Sequence, residues 1–232
     1  MDDKDDHTDD LWPYLDLDQI DFSRMYSVLQ QLLFMDDLFL NMQAMNIAAS
    51  DRLITCMEYS LRDQHRPDER VPLHSFIEVS ALSQMWIFAL YELIRLWRQR
   101  WNYLAKQRAN GMLKQVAEQT MTRAEAQKNT ALLIRAHQAR SVLDDPTLLE
   151  RVTEQFATLQ PVWTHVEALR MNLAKHGAPG GQSTIVPMMP GHGRIDFYCG
   201  ALNYDVVDRS GTYTTFNRRD IADALRMLEL GH

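Results

Sequence analysis

The stretch Val79-Ser-Ala-Leu-Ser-Gln-Met-Trp-Ile-Phe-Ala-Leu-Tyr-Glu-Leu-Ile-Arg-Leu-Trp-Arg-Gln-Arg-Trp101 decides the fold class. Val79, Leu82, Trp86, Leu90, Leu93, Trp97 and Trp101, continued by Leu104, recur at spacings of three and four, which puts them on one face of an α-helix. Three tryptophans on that face need a thick surround, so the segment reads as the central helix of a bundle, running from a Ser75 cap to about Gln107, with its tryptophans packed rather than stacked on bases. Its most apolar part, Val79 to Tyr91, is interrupted by Ser80, Ser83 and Gln84 and is shorter than the ~18 to 20 apolar residues of a membrane span. The expectation is a core helix, with no membrane partner.

The same period extends to both sides. Upstream, Met25, Val28, Leu29, Leu32, Leu33, Leu38, Phe39 and Met42 predict a first long helix, and Ser50 is a candidate cap for a segment carrying Leu53, Ile54, Met57 and Leu61, unless the two are continuous. Asp63 to Pro72 is charged, holds two prolines and reads as a loop. Downstream of the Asn110-Gly111 break, Met112 to Leu143 lacks glycine and proline and predicts a helix at the rim of the core. Asp144-Asp145-Pro146 opens a helix with Leu148, Leu149 and Val152, and Pro161 begins, or bends into, a last long helix through Val162, Val166, Leu169 and Leu173 that ends at Gly177. Beyond a Gly-Ala-Pro-Gly-Gly-Gln-Ser loop, Arg194 to Val207 and Thr212 to Phe216 have strand composition about a turn at Asp208 to Gly211, and Asn217 caps a short final helix with Ile221, Leu225 and Leu228 on one face. The predicted organisation is mainly α: an acidic disordered tail over 1–20, a helical bundle over 21–180, and a β-hairpin and helix appendage over 181–232.

Charge is unevenly placed. The whole chain carries −7, but residues 1–21 hold nine aspartates against Lys4, a net of −8, so the remainder is +1 and has room for a local basic patch. Cys56 and Cys199 are too few for a disulfide framework, and the chain opens Met-Asp-Asp-Lys-Asp-Asp without an apolar leader, so a cytoplasmic protein is expected. There is no His-Glu-x-x-His, Cys-x-x-Cys, Gly-x-Ser-x-Gly or Walker loop. No metal or cofactor is expected.

Ionisable groups crowd the end of the last long helix in Glu167-Ala-Leu-Arg-Met-Asn-Leu-Ala-Lys-His-Gly177. Arg170 and His176, separated by five residues, resemble the arginine and histidine pattern of the HEPN family (higher eukaryotes and prokaryotes nucleotide-binding), in which the pair lies near the end of a bundle helix with a polar residue close to the arginine. Here Asn172 is that polar residue, one position later than usual, with Met171 between. The resemblance covers about residues 21–180. It implies a HEPN-like helical bundle, a metal-independent endoribonuclease site built from Arg170, Asn172 and His176, RNA or a nucleotide as ligand, and a homodimer whose cleft lies between protomers. The alternative it allows is a noncatalytic module binding a nucleotide or protein partner.

The chemistry can be argued from the residues themselves. Cleavage of RNA by its own 2′-hydroxyl needs a proton acceptor, a proton donor for the leaving oxygen, and a cation for the phosphorane, and histidine and arginine supply these. Asn172 and His176 share a helix face, so Asn172 is placed to orient the ring or bind phosphate. Arg170 and His176 diverge by about 120° around and about 9 Å along an ideal helix, so the arginine must fold across or a second protomer must complete the site. Lys175 is a candidate phosphate contact. Glu92, Arg95 and Arg98 follow at spacings of three on the central helix, with Glu92 a candidate partner of Arg170 and the arginines candidate phosphate ligands. The bland readings are a helix-capping His176, a surface salt bridge from Arg170 to Glu167, a solvated Glu92, Arg95 and Arg98 stripe, and a plain loop histidine at His192.

Overall fold

A computed structural model of the chain describes residues 14–64, 73–174, 185–187, 194–208 and 213–230. Among these are seven α-helices and four strands: α1 (Ser23–Gln31), α2 (Leu38–Gln64), α3 (Leu73–Ala109), α4 (Leu113–Gln127), α5 (Thr130–Asp144), α6 (Leu148–Ala174), β1 (Ile185–Pro187), β2 (Arg194–Ile195), β3 (Leu202–Asp208), β4 (Tyr213–Asn217) and α7 (Arg218–Arg226). The mainly helical class and the C-terminal strands and helix are as the sequence predicts. The central helix is α3, which packs against α2 on one side and α6 on the other. It is long and apolar enough to cross a membrane, yet Trp86, Ile87, Leu90, Leu93, Ile94 and Trp97 are all buried in the bundle. Trp86 and Trp97 donate their indole N–H groups to the Ile47 and Leu33 carbonyls at 3.1 and 2.7 Å.

Three helix boundaries differ from the periodic reading. The first long helix breaks between α1 and α2, well before Ser50, whose hydroxyl lies mid-helix and donates back to the Asn46 carbonyl at 2.7 Å. The break occurs where Phe34 takes a left-handed backbone (φ 68) and the buried Asp37 carboxylate accepts the Phe39 and Leu40 N–H groups at 3.1 and 3.4 Å, capping α2. The exposed backbone of this corner is satisfied from other helices. Gln155 of α6 accepts from Leu33 N–H and donates to the Gln31 carbonyl, and Gln138 of α5 donates to the Phe34 carbonyl. Arg100 and Arg135 neutralise Asp37 at 2.9 and 3.3 Å.

The single rim helix predicted over Met112 to Leu143 is instead an α4–α5 hairpin. Lys128 turns left-handed (φ 48) and Asn129 caps α5 by accepting the Leu132 N–H at 3.1 Å, so the chain reverses without glycine or proline. The third difference is at the start of α3, which begins at Leu73, so that Ser75 lies inside the helix and does not cap it; of the two readings at Pro161 the continuous one fits, since the proline lies inside α6.

β3 is the central strand of a small antiparallel sheet: β4 flanks one edge, and β1 and β2 share the other. Gly200 explains how this sheet sits against α2. With φ 76, any Cβ there would fall 1.8 Å from the Glu58 carbonyl oxygen of α2, so only glycine fits. Ile221, Ala222 and Leu225 of α7 belong to the same apolar cluster as Met25, Trp86 and Val166. The C-terminal elements therefore share the core of the bundle.

Candidate functional site

Arg170 lies near the C-terminal end of α6, half-buried, with its guanidinium carbon 4.8 Å from the centre of the Tyr91 ring on α3. The α6 backbone continues through Asn172, whose side chain is outside the described residues, as are Lys175, His176 and His192. On α3, Glu92 accepts both the Nε and an Nη of Arg95, at 2.8 and 2.5 Å, so these two form a half-exposed pair with each other.

Arg98 is placed differently from its neighbour. Its guanidinium carbon is 4.9 Å from the Trp163 ring and 4.3 Å from the Phe156 ring, both on α6. Trp163 stacks in turn on Tyr91 at 5.0 Å with the planes 21° apart. Arg170, Tyr91, Trp163, Arg98 and Phe156 thus form a ladder of cations and rings along the α3–α6 seam. Partly desolvated cation and ring contacts of this kind contribute about 0.5–2 kcal/mol each, and the chain's own rings hold both guanidiniums beside the seam. Pattern reading on α3 finds the arginines but not the ladder, because the rings that receive them come from a helix more than fifty residues away in sequence.

A second cluster was missed entirely. Arg218 and Arg219, at the start of α7, are fully buried, and Arg226 nearly so. Arg218 forks onto Glu58 of α2 at 2.8 and 2.5 Å, reaches Asp51 at 2.5 Å, and donates to Thr55 at 2.9 Å. Arg226 bridges Asp51 and Asp223, and Arg219 pairs with Asp223 at 2.8 Å. Burial alone would lower the pKa of Arg218, but Glu58 and Asp51 outweigh it and raise it, so the guanidinium stays charged. The signal was available in α2: Ile47, Asp51, Ile54, Glu58 and Leu61 share one inner face, and two acids within an apolar stripe require buried cations.

Beside this cluster, a cavity of about 720 Å³ opens between the segment 14–24, α6, β4 and α7. His165 of α6 packs edge-on against Phe216 at 4.6 Å on one wall, and Arg24 closes another by donating to the Arg226 and Leu228 carbonyls. Tyr14 donates to Asp220 at 2.7 Å; burial raises the pKa of both groups. Burial also pushes the Cys199 thiol up and Tyr204 up to about 12, so neither is a nucleophile at neutral pH.

The spacing of Arg170 and His176 recurs at Arg226 and His232, and there the arginine serves the buried ion cluster. Spacing alone does not mark chemistry; the surroundings of each arginine do. Among the described residues no group of three or more His, Cys, Asp or Glu side chains is arranged to hold a metal ion. No family model, curated protein or solved structure matches the chain.

Proposed function

We propose that the chain is a metal-independent endoribonuclease of HEPN type, acting in the cytoplasm at the C-terminal end of α6. What supports the reading is the ladder. It sets the half-buried Arg170 beside the α3–α6 seam on the last bundle helix, with Arg95 and Arg98 nearby, a local concentration of cations suited to a polyanion. In the proposed reaction the 2′-oxygen loses its proton to His176 and bonds to phosphorus. The P–O5′ bond then breaks as O5′ takes a proton from water, leaving a 2′,3′-cyclic phosphate, and the hydroxide so formed is neutralised by the proton held on His176. Arg170 would steady the phosphorane, Asn172 would orient the imidazole, and Lys175 would contact a neighbouring phosphate. A second protomer would complete the cleft where one helix leaves Arg170 and His176 apart.

The test is cleavage of RNA by the purified chain in excess chelator. The expected products carry 2′,3′-cyclic phosphate ends, and DNA survives. Arg170→Ala and His176→Ala should each reduce the rate at least about 100-fold with an unchanged helical spectrum, and Asn172→Ala should reduce it less. Equal cutting by wild type and His176→Ala would overturn the proposal. The second reading, a noncatalytic module for a nucleotide or protein partner, is favoured by the cavity beside α7, which faces away from the ladder on α6.

A further inference from the structure

The outer face of α2 is apolar where solvent would be expected to meet polar side chains. Leu38, Met42, Met45, Ala49, Leu53 and Cys56 lie on one stripe, opposite the buried face of Ile47, Asp51, Ile54 and Glu58. Leu38, Met42, Met45 and Leu53 are 48%, 60%, 52% and 56% exposed, and Phe39 next to Leu38 is 63% exposed. By the areas usual for such side chains these five present roughly 550 Å², about two thirds of the ~800 Å² per partner of a standard stable interface, before the exposed Ala49 and Cys56 are added.

We propose that this face is a self-association surface, on which α2 pairs antiparallel with α2 of a second copy about a two-fold axis. The stripe is self-complementary about its midpoint. Reversing it sets Met45 over Ala49 of the second copy, a large side chain over the smallest on the stripe, and Met42 over Leu53, with Leu38 over Cys56. Charge does not oppose the pairing. From 38 to 56 the charged residues are Asp51, buried in the ion cluster, and Arg52, which is drawn aside toward the Phe22 ring at 5.9 Å. A membrane-surface helix would carry several lysines or arginines along its polar margins, and this one carries only Arg52 over that length. Two neighbouring methionines suit a surface that must repack against its own image. Because α3 stands between α2 and α6, the contact is separate from the cleft proposed at Arg170 and does not rest on the nuclease reading.

The experiment combines sedimentation with a register-specific cross-link. Wild type at tens of micromolar is expected to sediment as an oligomer, and Met45→Glu, a change at an exposed position, should halve the mass while keeping the helical spectrum and any RNA cleavage per chain. In a Cys56→Ser background, Met42→Cys together with Leu53→Cys should form a disulfide-linked dimer on mild oxidation. Either cysteine alone should not, because identical positions stand about 16 Å apart along antiparallel helices, too far for a disulfide. A monomeric wild type, an unchanged mass for Met45→Glu, or no cross-link in the double variant would overturn the proposal, as would flotation of a monomeric chain with phosphatidylglycerol vesicles.

Discussion

Arg218 shows how much one side chain can carry. It has no exposure, and each of its three side-chain nitrogens meets an acid or a hydroxyl on α2. Arg218→Ala is expected to cost about 3–5 kcal/mol in urea unfolding, because Asp51 and Glu58 are left charged in the core. Joining Arg218→Met to Glu58→Leu should recover a large part of that loss, since removing both partners of a buried pair leaves less uncompensated charge. A loss below about 1 kcal/mol for the single change would mean that water reaches the cluster. At this scale the sequence was only partly legible. The position of Arg170 on the last bundle helix could be read from periodicity, but periodicity assigns arginines to the outside, and the two that begin α7 point inward. The acids that Arg218 meets lie 160 to 167 residues away, beyond any local pattern.

Helix boundaries were legible where glycine or proline marked them and illegible where a side chain did the work. Asn110-Gly111 ends α3 as read, with Gly111 at φ 69. The α4–α5 reversal has no such mark. Lys128 holds a left-handed conformation that glycine adopts without a Cβ clash, so Lys128→Gly should raise stability by roughly 0.5–1 kcal/mol, measured as a shift in the urea midpoint at constant slope. A destabilisation instead would mean that the lysine side chain contributes more than its backbone strain removes. Pro161 is the opposite case: a strong breaker by composition, it is overridden because α6 is held along its length by α3 on one side and by α7 and the sheet on the other.

Across the whole molecule, the helical class followed from the inner face of α3, and the strands from the change in composition after Gly177. How tightly the two parts are bound together did not. The core is continuous from α1 to α7, and two acids of α2 find their cations only there. A chain ending at Ala174 should therefore lose cooperative unfolding, read by calorimetry or urea, rather than survive as an independent bundle. A sharp transition in that fragment would show that the bundle stands alone. The same ion cluster has a consequence in time. During synthesis Asp51 emerges 167 residues before Arg218. At the usual ~5–20 residues per second that is roughly ten to thirty seconds in which α2 and α3 can pair only loosely, with two bare carboxylates on the face they must bury. The unfinished chain is thus discouraged from collapsing early, and α7 acts as the latch whose arrival lets the core close.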